Sequence, residues 1–215
     1  MTVKICGITS PIDAQNAIEA GADMIGFVFA KSRRKVSVKE AENIVKTLDH
    51  NVKTVGVFVD APLDEVLETA RTVGLDMIQL HGKENAEYIK QIPYPIIKAI
   101  SVTETTDLGE IQQYDSDYLL FDGAKAGSGE TFEWDLLETF KRNQQKVMLA
   151  GGLTSENVAE AIMRVKPEMV DVSSGVEVNG KKNQDKMKAF VKEAQKAFAK
   201  LKDKENQNEQ LRTAN

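Results

Sequence analysis

The chain has 215 residues, 41% of them hydrophobic, with a formal net charge of −5 and one cysteine. This length allows one large domain or two small ones, and the acidic balance gives no reason to expect nucleic acid or an anionic membrane surface as a partner. A lone cysteine excludes an internal disulfide and favours a reducing cytoplasm, and we expect neither a membrane-spanning segment nor a signal peptide.

Short apolar runs alternate with longer amphipathic segments along the chain. The runs begin near Val3, Met24, Val52, Met77, Pro95, Tyr118, Val147 and Met169. Several are almost continuously apolar, which is typical of parallel strands buried on both faces. Eight strand–helix units of about 27 residues each are compact enough to close on themselves. The pattern therefore predicts a single-domain eight-stranded parallel (β/α)8 barrel over residues 1–202. An open doubly wound sheet is the alternative, but it would usually have fewer strands, and no Gly-x-Gly-x-x-Gly follows the first strand.

Several helix ends are marked in the sequence. Ser10-Pro11 starts the first helix, and Ser37 with Glu40 forms a capping-box pattern. Gly21 and Gly74 each end a helix, while Thr154 or Ser155 opens a later one. The last helix is predicted from about Gln184 to Lys202. Residues 203–215 are polar, and we expect a frayed or disordered tail without a catalytic role.

The chemistry of such barrels lies at the carboxyl ends of the strands. Cys6 ends the first strand, His81 follows the fourth and Asp122 ends the sixth. An ionised thiol can act as a base, and a protonated carboxyl group as an acid. Structural interpretations stand beside these: a lone cysteine is more often a small buried hydrophobe, and His81 could equally be a core or turn histidine.

A basic loop, residues 31–35, follows the second strand. One arginine of this loop, Arg33 or Arg34, could point inward and pair with a carboxylate through two hydrogen bonds, or the whole loop could be a solvated run of charge.

Two glycine-containing loops follow the seventh and eighth strands. The first contains Gly151 and Gly152, and the second contains Ser173 and Gly175. Glycines allow a ligand to approach the backbone closely, and helix N-termini offer free N–H groups to an anion. Either loop alone could be an ordinary tight turn. Together, at matching positions in successive units, they predict a phosphate site.

A set of motifs resembles the phosphoribosylanthranilate isomerase family over Val3 to about Phe190. The motifs are Lys4-Ile5-Cys6-Gly7-Ile8-Thr9, Gly26-Phe27-Val28-Phe29, Ser32-Arg33-Arg34, Val55-Gly56-Val57-Phe58, Gln79-Leu80-His81-Gly82, Leu120-Phe121-Asp122, Gly127-Ser128-Gly129, Phe132-Glu133-Trp134, Leu149-Ala150-Gly151-Gly152-Leu153, Glu156-Asn157-Val158 and Val170-Asp171-Val172-Ser173-Ser174-Gly175-Val176-Glu177. Asn183 stands where many family members have an aspartate, and either residue can cap the last helix. Gly123 follows Asp122 where a hydroxyl or amide side chain is common.

The resemblance implies a cofactor-free aldose–ketose isomerase of tryptophan biosynthesis, an intramolecular oxidoreductase that performs an Amadori rearrangement. The substrate would be N-(5′-phosphoribosyl)anthranilate, and the product 1-(o-carboxyphenylamino)-1-deoxyribulose 5-phosphate. By similarity Cys6 is the general base, Asp122 the general acid and Arg34 the contact for the anthranilate. Asp171 would hold a ribose hydroxyl, and residues 127–129 would form a loop that closes over the site. The only partner implied is the small-molecule substrate, and we expect a monomer or a weak homodimer.

Three rival functions remain open at this stage. A phosphosugar epimerase usually binds metal through several histidines, whereas this chain has only His50 and His81. We therefore expect no metal site. An indole-forming synthase would need a catalytic lysine and glutamates at strand ends. A non-catalytic phosphate-ligand sensor would not require the acid–base pair of Cys6 and Asp122.

Overall fold

Eight parallel strands close into one barrel. The computed structural model describes residues 2–48, 51–103, 105–106, 109, 111, 114–123, 133–137, 140 and 145–213. The strands are β1 (Thr2–Cys6), β2 (Met24–Val28), β3 (Lys53–Phe58), β4 (Met77–Leu80), β5 (Ile96–Val102), β6 (Tyr118–Gly123), β7 (Lys146–Leu149) and β8 (Met169–Val172). Each strand pairs with the next, and β8 pairs with β1 in the register Val3↔Val170 and Ile5↔Val172. This closure confirms the predicted (β/α)8 barrel and excludes an open sheet.

Helices follow most of the strands. They are α1 (Pro11–Glu19), α2 (Val38–Val45), α3 (Leu63–Val73), α4 (Ala86–Ile89), α5 (Val158–Val165) and α6 (Gln184–Thr213). Short 3₁₀ turns lie at Trp134–Leu137 and Ser174–Val176. A two-stranded hairpin, β9 (Glu177–Val178) and β10 (Lys181–Lys182), precedes α6.

The predicted helix caps are confirmed where they depend on local hydrogen bonds. The Ser10 hydroxyl accepts from the backbone N–H of Asp13 at the start of α1. Ser37 and Glu40 cap one another reciprocally at α2, which is the predicted capping box. Gly21 and Gly74 have φ values of 91° and 76°, the left-handed conformation that ends a helix.

The start of α5 differs from the prediction. Neither Thr154 nor Ser155 caps this helix. It begins at Val158, and Asn157 occupies the N-cap position. The Asn157 side chain accepts from the N–H of Thr154, and the Thr154 hydroxyl accepts from the N–H of Glu156. These side-chain bonds hold residues 154–157 in turns, so the helix starts later.

The last helix begins as predicted, with Asn183 accepting from the N–H of Lys186. It was predicted to end near Lys202, but the helix in the structure continues to Thr213. Residues 203–213 contain no glycine or proline, and more than half of them are Glu, Gln, Lys, Leu or Arg, which favour helix even without burial. Fraying of this segment in solution, and its separation from the barrel domain at 202, stay predictions.

Two apolar layers surround the sheet. Side chains on the inner face fill the barrel with Met24, Val55, Met77, Ile97, Ala99, Leu120, Met148, Ala150 and Met169. A larger cluster packs the outer face against the helices. Because strand side chains alternate between faces, Lys4 and Cys6 on β1 point inward beside Met24 and Gly26 on β2. The same alternation brings Asp122 and Asp171 into the barrel mouth.

Candidate active site

A cavity of about 340 Å³ opens at the carboxyl ends of the strands. It is lined by Cys6, Val28, Ala30, Lys31, Ser32, Arg34, Val57, Val59, Gln79, His81, Asp122, Ala150, Gly151, Gly152, Leu153, Asp171, Val172, Ser173 and Ser174. The structure therefore brings together every predicted site residue except Gly175. A larger cavity of about 510 Å³ lies between β6, β7 and α6 and contains none of the predicted site residues.

Cys6 is buried at the end of β1, with 8% of its surface exposed into the cavity. Burial raises the pKa of its thiol, and Asp171 adds to that effect, whereas the ammonium groups of Lys4 and Lys182 oppose it. The thiol thus sits among charges of both signs. The local environment, and not the cysteine type alone, decides how much thiolate is present.

Lys4 was not predicted as a site residue, although it is completely buried beneath the cavity. Its Nζ donates to Oδ2 of Asp171 at 2.8 Å. Burial acts to lower the pKa of Lys4, but Asp171 and Cys6 raise it above its usual value. Burial raises the pKa of Asp171, while Lys4 opposes that rise. The raised pKa of Lys4 indicates an ion pair, whereas the raised pKa of Asp171 indicates a neutral carboxyl group. We assign an ion pair because an ammonium 2.8 Å from a carboxylate strongly stabilises its charged form.

Asp122 lies at the end of β6, three strands from β1 around the closed ring. Its Oδ1 accepts from the N–H of Gly123 at 2.8 Å, and its Oδ2 lies 3.5 Å from Nε2 of His81. Nδ1 of His81 lies 3.2 Å from Nε2 of Gln79. Within the described residues, Nε2 of His81 and Oε1 of Gln79 have no hydrogen-bond partner. Both residues line the cavity, and the nearest carboxylate to Nε2 among the described residues is that of Asp122.

Arg34 lines the cavity, but its guanidinium is already engaged by a carboxylate from the protein. Its Nε donates to Oε1 of Glu177 at 2.6 Å, and Nη2 to Oε2 at 3.1 Å. Gly7, with φ of 77°, makes room for this side chain, because a Cβ there would collide with Cδ of Arg34. Glu177 therefore fixes the guanidinium plane at the cavity wall, and the structure gives Nη1 no hydrogen bond to any other described residue.

Glu177 also binds Lys182, a second lysine that the sequence did not reveal as a site neighbour. Nζ of Lys182 lies 3.0 Å from Oε1 of Glu177 and donates to the carbonyl of Ser173 at 2.9 Å. Burial works to raise the pKa of Glu177, but Arg34 and Lys182 bring it below its ordinary value. Burial lowers the pKa of Lys182 despite the attraction of Glu177. The signal for this arrangement was the turn dipeptide Asn179-Gly180, which reverses the chain between β9 and β10 with positive φ at both residues.

The two glycine-containing loops lie side by side at the cavity wall. Gly151 and Gly152 have φ values of 83° and 60°, and a Cβ on Gly151 would lie 2.9 Å from Oδ1 of Asp122. The Ser173 hydroxyl donates to the carbonyl of Cys6 at 3.0 Å. Gly175 lies outside the cavity, where a Cβ would collide with the carbonyl of Leu153. Its lack of a side chain allows the loops after β7 and β8 to pack together.

One prediction falls outside the described residues, namely that Gly127–Gly129 closes over the site. His50, the second histidine of the chain, is not described either. Within the described ranges, no cluster of three or more His, Cys, Asp or Glu side chains is placed to hold a metal ion. None of the described helices is long and apolar enough to span a membrane.

Comparison with known proteins gives one consistent family. The model of the N-(5′-phosphoribosyl)anthranilate (PRA) isomerase family matches residues 3–193. An N-(5′-phosphoribosyl)anthranilate isomerase from Oceanobacillus iheyensis is 48% identical over 201 residues, covering 91% of this chain and 98% of the relative. Two crystal structures are each 40% identical and cover 91% of this chain and 98% of theirs. One, with TM-score 0.83, is of monomers generated from the dimeric phosphoribosylanthranilate isomerase of Thermotoga maritima. The other, with TM-score 0.82, is a phosphoribosylanthranilate isomerase in complex with reduced 1-(o-carboxyphenylamino)-1-deoxyribulose 5-phosphate.

Proposed function

The chain belongs to the N-(5′-phosphoribosyl)anthranilate isomerase family, and we propose that its barrel mouth isomerises this substrate with Cys6 as the base and Asp122 as the acid. The reaction is the Amadori rearrangement to 1-(o-carboxyphenylamino)-1-deoxyribulose 5-phosphate, a step of tryptophan biosynthesis. One observation carries the assignment of roles: a thiol from β1 and a carboxyl group from β6 line the same cavity of about 340 Å³.

Asp122 performs the first step, in which the ribose ring opens. Its carboxyl proton moves to the ring oxygen as the C1′–O bond breaks, and the nitrogen lone pair forms a Schiff base with C1′. The 3.5 Å separation from His81 leaves Oδ2 available to the substrate.

Cys6 performs the second step. Its thiolate takes the C2′ proton, which the Schiff base has made acidic, and the C–H electrons form the C1′=C2′ bond of an enolamine. The positive charge on nitrogen and the negative charge on sulfur are both removed. A proton then returns at C1′, and the C2′ hydroxyl becomes the ketone. Positioned acid–base catalysis of this kind contributes about 10²–10⁴-fold per group.

The remaining cavity residues hold the ends of the substrate. Arg34, fixed by Glu177 at 2.6 Å, offers its other N–H groups to the anthranilate carboxylate. Backbone N–H groups of Gly151, Gly152 and the loop at Ser173 bind the phosphate, with Gly175 supporting the packing of the two loops. Asp171 accepts from a ribose hydroxyl, and His81, whose Nε2 lies 3.5 Å from Oδ2 of Asp122, contacts the substrate near that carboxyl group.

The proposed chemistry also bears on cofactors, cellular location and oligomeric state. The chemistry requires no cofactor and no metal, and the small-molecule substrate is the only partner needed. The single cysteine and the biosynthetic reaction favour a cytoplasmic location. A dimeric relative is known, and we propose a monomer or a weak homodimer for this chain.

A turnover assay tests the function. The anthranilate group makes the substrate fluorescent, and its signal changes on isomerisation. We expect turnover by the purified protein that a chelator does not reduce, and a loss of at least about 10²-fold in Cys6→Ala with unchanged thermal unfolding. Wild-type protein without turnover would reject the function. A folded Cys6→Ala variant with near-normal rates would make the thiol structural.

A further inference from the structure

Lys4 is a buried charge for which the acid–base steps above provide no role. It is fully buried on the inner face of β1, two residues before Cys6. An isolated ammonium in such a place would be strongly unfavourable, so the site must contain anionic partners. One is Asp171, with Oδ2 at 2.8 Å from Nζ.

Gly26 brings Lys4 and Cys6 together. A Cβ at this position of β2 would lie 2.8 Å from Sγ of Cys6 and 3.2 Å from Nζ of Lys4. The ammonium of Lys4 and the sulfur of Cys6 therefore both lie beside the space that a side chain at position 26 would fill. Any larger residue at position 26 would push them away.

The charges around Cys6 come from several elements. Lys4 on β1 and Lys182 on β10 favour the thiolate, whereas Asp171 on β8 opposes it. Asp122 on β6 raises the pKa of Asp171, and His81 after β4 lowers it. Lys182 is already bound to Glu177 and to the carbonyl of Ser173. The charged or ionisable groups that act on Lys4, in contrast, are Asp171 and the thiol of Cys6.

We propose that Lys4 is a positioning residue that serves as the counter-ion of the Cys6 thiolate, with Asp171 holding its ammonium in place. Before proton transfer the three groups carry one positive and two negative charges. When the thiolate accepts the C2′ proton, the Lys4–Asp171 ion pair remains and is neutral. The buried site thus stabilises the base without leaving an unpaired cation after the step. The assignment of Cys6 as the base rests on the function proposed above.

The thiol itself provides the test, because Cys6 is the only cysteine. Thiolate absorbance, measured against Cys6→Ala as the blank, and alkylation by iodoacetamide both follow this one group as the pH is varied. In Lys4→Met we expect the titration midpoint to rise by about one pH unit or more, with alkylation at neutral pH slowed about tenfold. The acidic limb of kcat/KM should move in the same direction.

Lys98→Met is the matched control. Lys98 is also buried and lies 2.7 Å from Glu84, but it faces outward from β5, away from the thiol. Breaking this pair should reduce stability and leave the thiol titration unchanged. A folded Lys4→Met variant that behaves in the same way would overturn the proposal, because Lys4 would then only neutralise Asp171.

A charge cycle covers the case in which Lys4→Met does not fold. Asp171→Asn should lower the titration midpoint of the thiol, because it removes an anion. The double variant Lys4→Met/Asp171→Asn removes both members of the ion pair. Its thiol should have a higher titration midpoint than the thiol of Asp171→Asn, because only the single variant keeps the Lys4 ammonium. Equal midpoints in the two variants would refute the counter-ion role. These titrations need no substrate. A Lys4-dependent thiol in a protein without isomerase turnover would reject the proposed function alone, whereas turnover with a Lys4-independent thiol would reject this inference alone.

Discussion

Substitution of Arg34 tests the carboxylate-binding role directly, because the neighbouring residue supplies a matched control. The side chain of Arg34 is 10% exposed and faces the cavity, whereas that of Arg33 is 57% exposed. Both donate to Glu177, so both variants remove one arginine–glutamate contact. Only Arg34→Met removes a desolvated partner for the substrate.

The expected loss for Arg34→Met is about 2–4 kcal/mol of transition-state stabilisation, the range for one partner of a buried charge pair. That corresponds to roughly 30-fold to 1,000-fold in kcat/KM. Glu177 would keep Lys182 at 3.0 Å and Arg33 at 2.7 Å, so no buried charge is left alone. We therefore expect the folded protein to remain intact. The guanidinium of Arg33 is mostly exposed, and Glu177 keeps Arg34 and Lys182 as partners when it is removed, so Arg33→Met should change kcat/KM little.

The assay is steady-state fluorescence with the anthranilate substrate, at low and high salt, for wild type and both variants. Product-analogue affinity should fall in Arg34→Met and not in Arg33→Met. Equal losses in the two variants, both abolished by salt, would refute the reasoning. The loop would then act as a diffuse field of charge and not through one guanidinium.

Three further predictions concern the acid, the phosphate and the C-terminal segment. Asp122→Asn keeps the size and hydrogen bonding of the side chain but removes the transferable proton. Turnover should therefore collapse while affinity for a product analogue survives. Weakened binding with normal turnover would make the residue a ligand contact only. Gly152→Val should raise KM strongly, because a side chain blocks the backbone from the phosphate, and wild-type affinity for inorganic phosphate should vary weakly with salt because the backbone dipoles lie in a closed site. A structure with phosphate elsewhere than between the loops at Gly151 and Ser173 would contradict that site. Removal of residues 203–215 should leave kcat/KM unchanged, and a large loss of activity would give this segment a role that we do not assign.

The sequence predicted the barrel because its evidence is local and repeated. Eight apolar runs report strands buried on both faces, and the capping box of Ser37 and Glu40 depends on residues within one helical turn. The residues adjacent in sequence to Cys6 and Asp122 likewise show that each lies at the end of a strand. Alternation along each strand then determines that they point into the barrel once it closes.

The same local information failed where competing side chains decide the outcome. The helix starting at Val158 was predicted too early, because the reach of Asn157 back to Thr154 is not visible in a cap pattern. The last helix was predicted too short, because a polar composition indicates exposure and does not by itself end a helix.

Only the tertiary structure decided which charges meet in the site. Lys4 lies within an ordinary strand sequence, and it finds Asp171, 167 residues away, only because β1 closes against β8. Arg34 contacts Glu177, 143 residues away in sequence, and the hairpin of β9 and β10 brings Lys182 to the same carboxylate. Hydrophobic periodicity carries no information about such pairs, since burial of a charge depends on the partner that the closed barrel places beside it. The sequence alone therefore determined which residues reach the barrel mouth, and closure of the barrel determined the electrostatic environment in which they act.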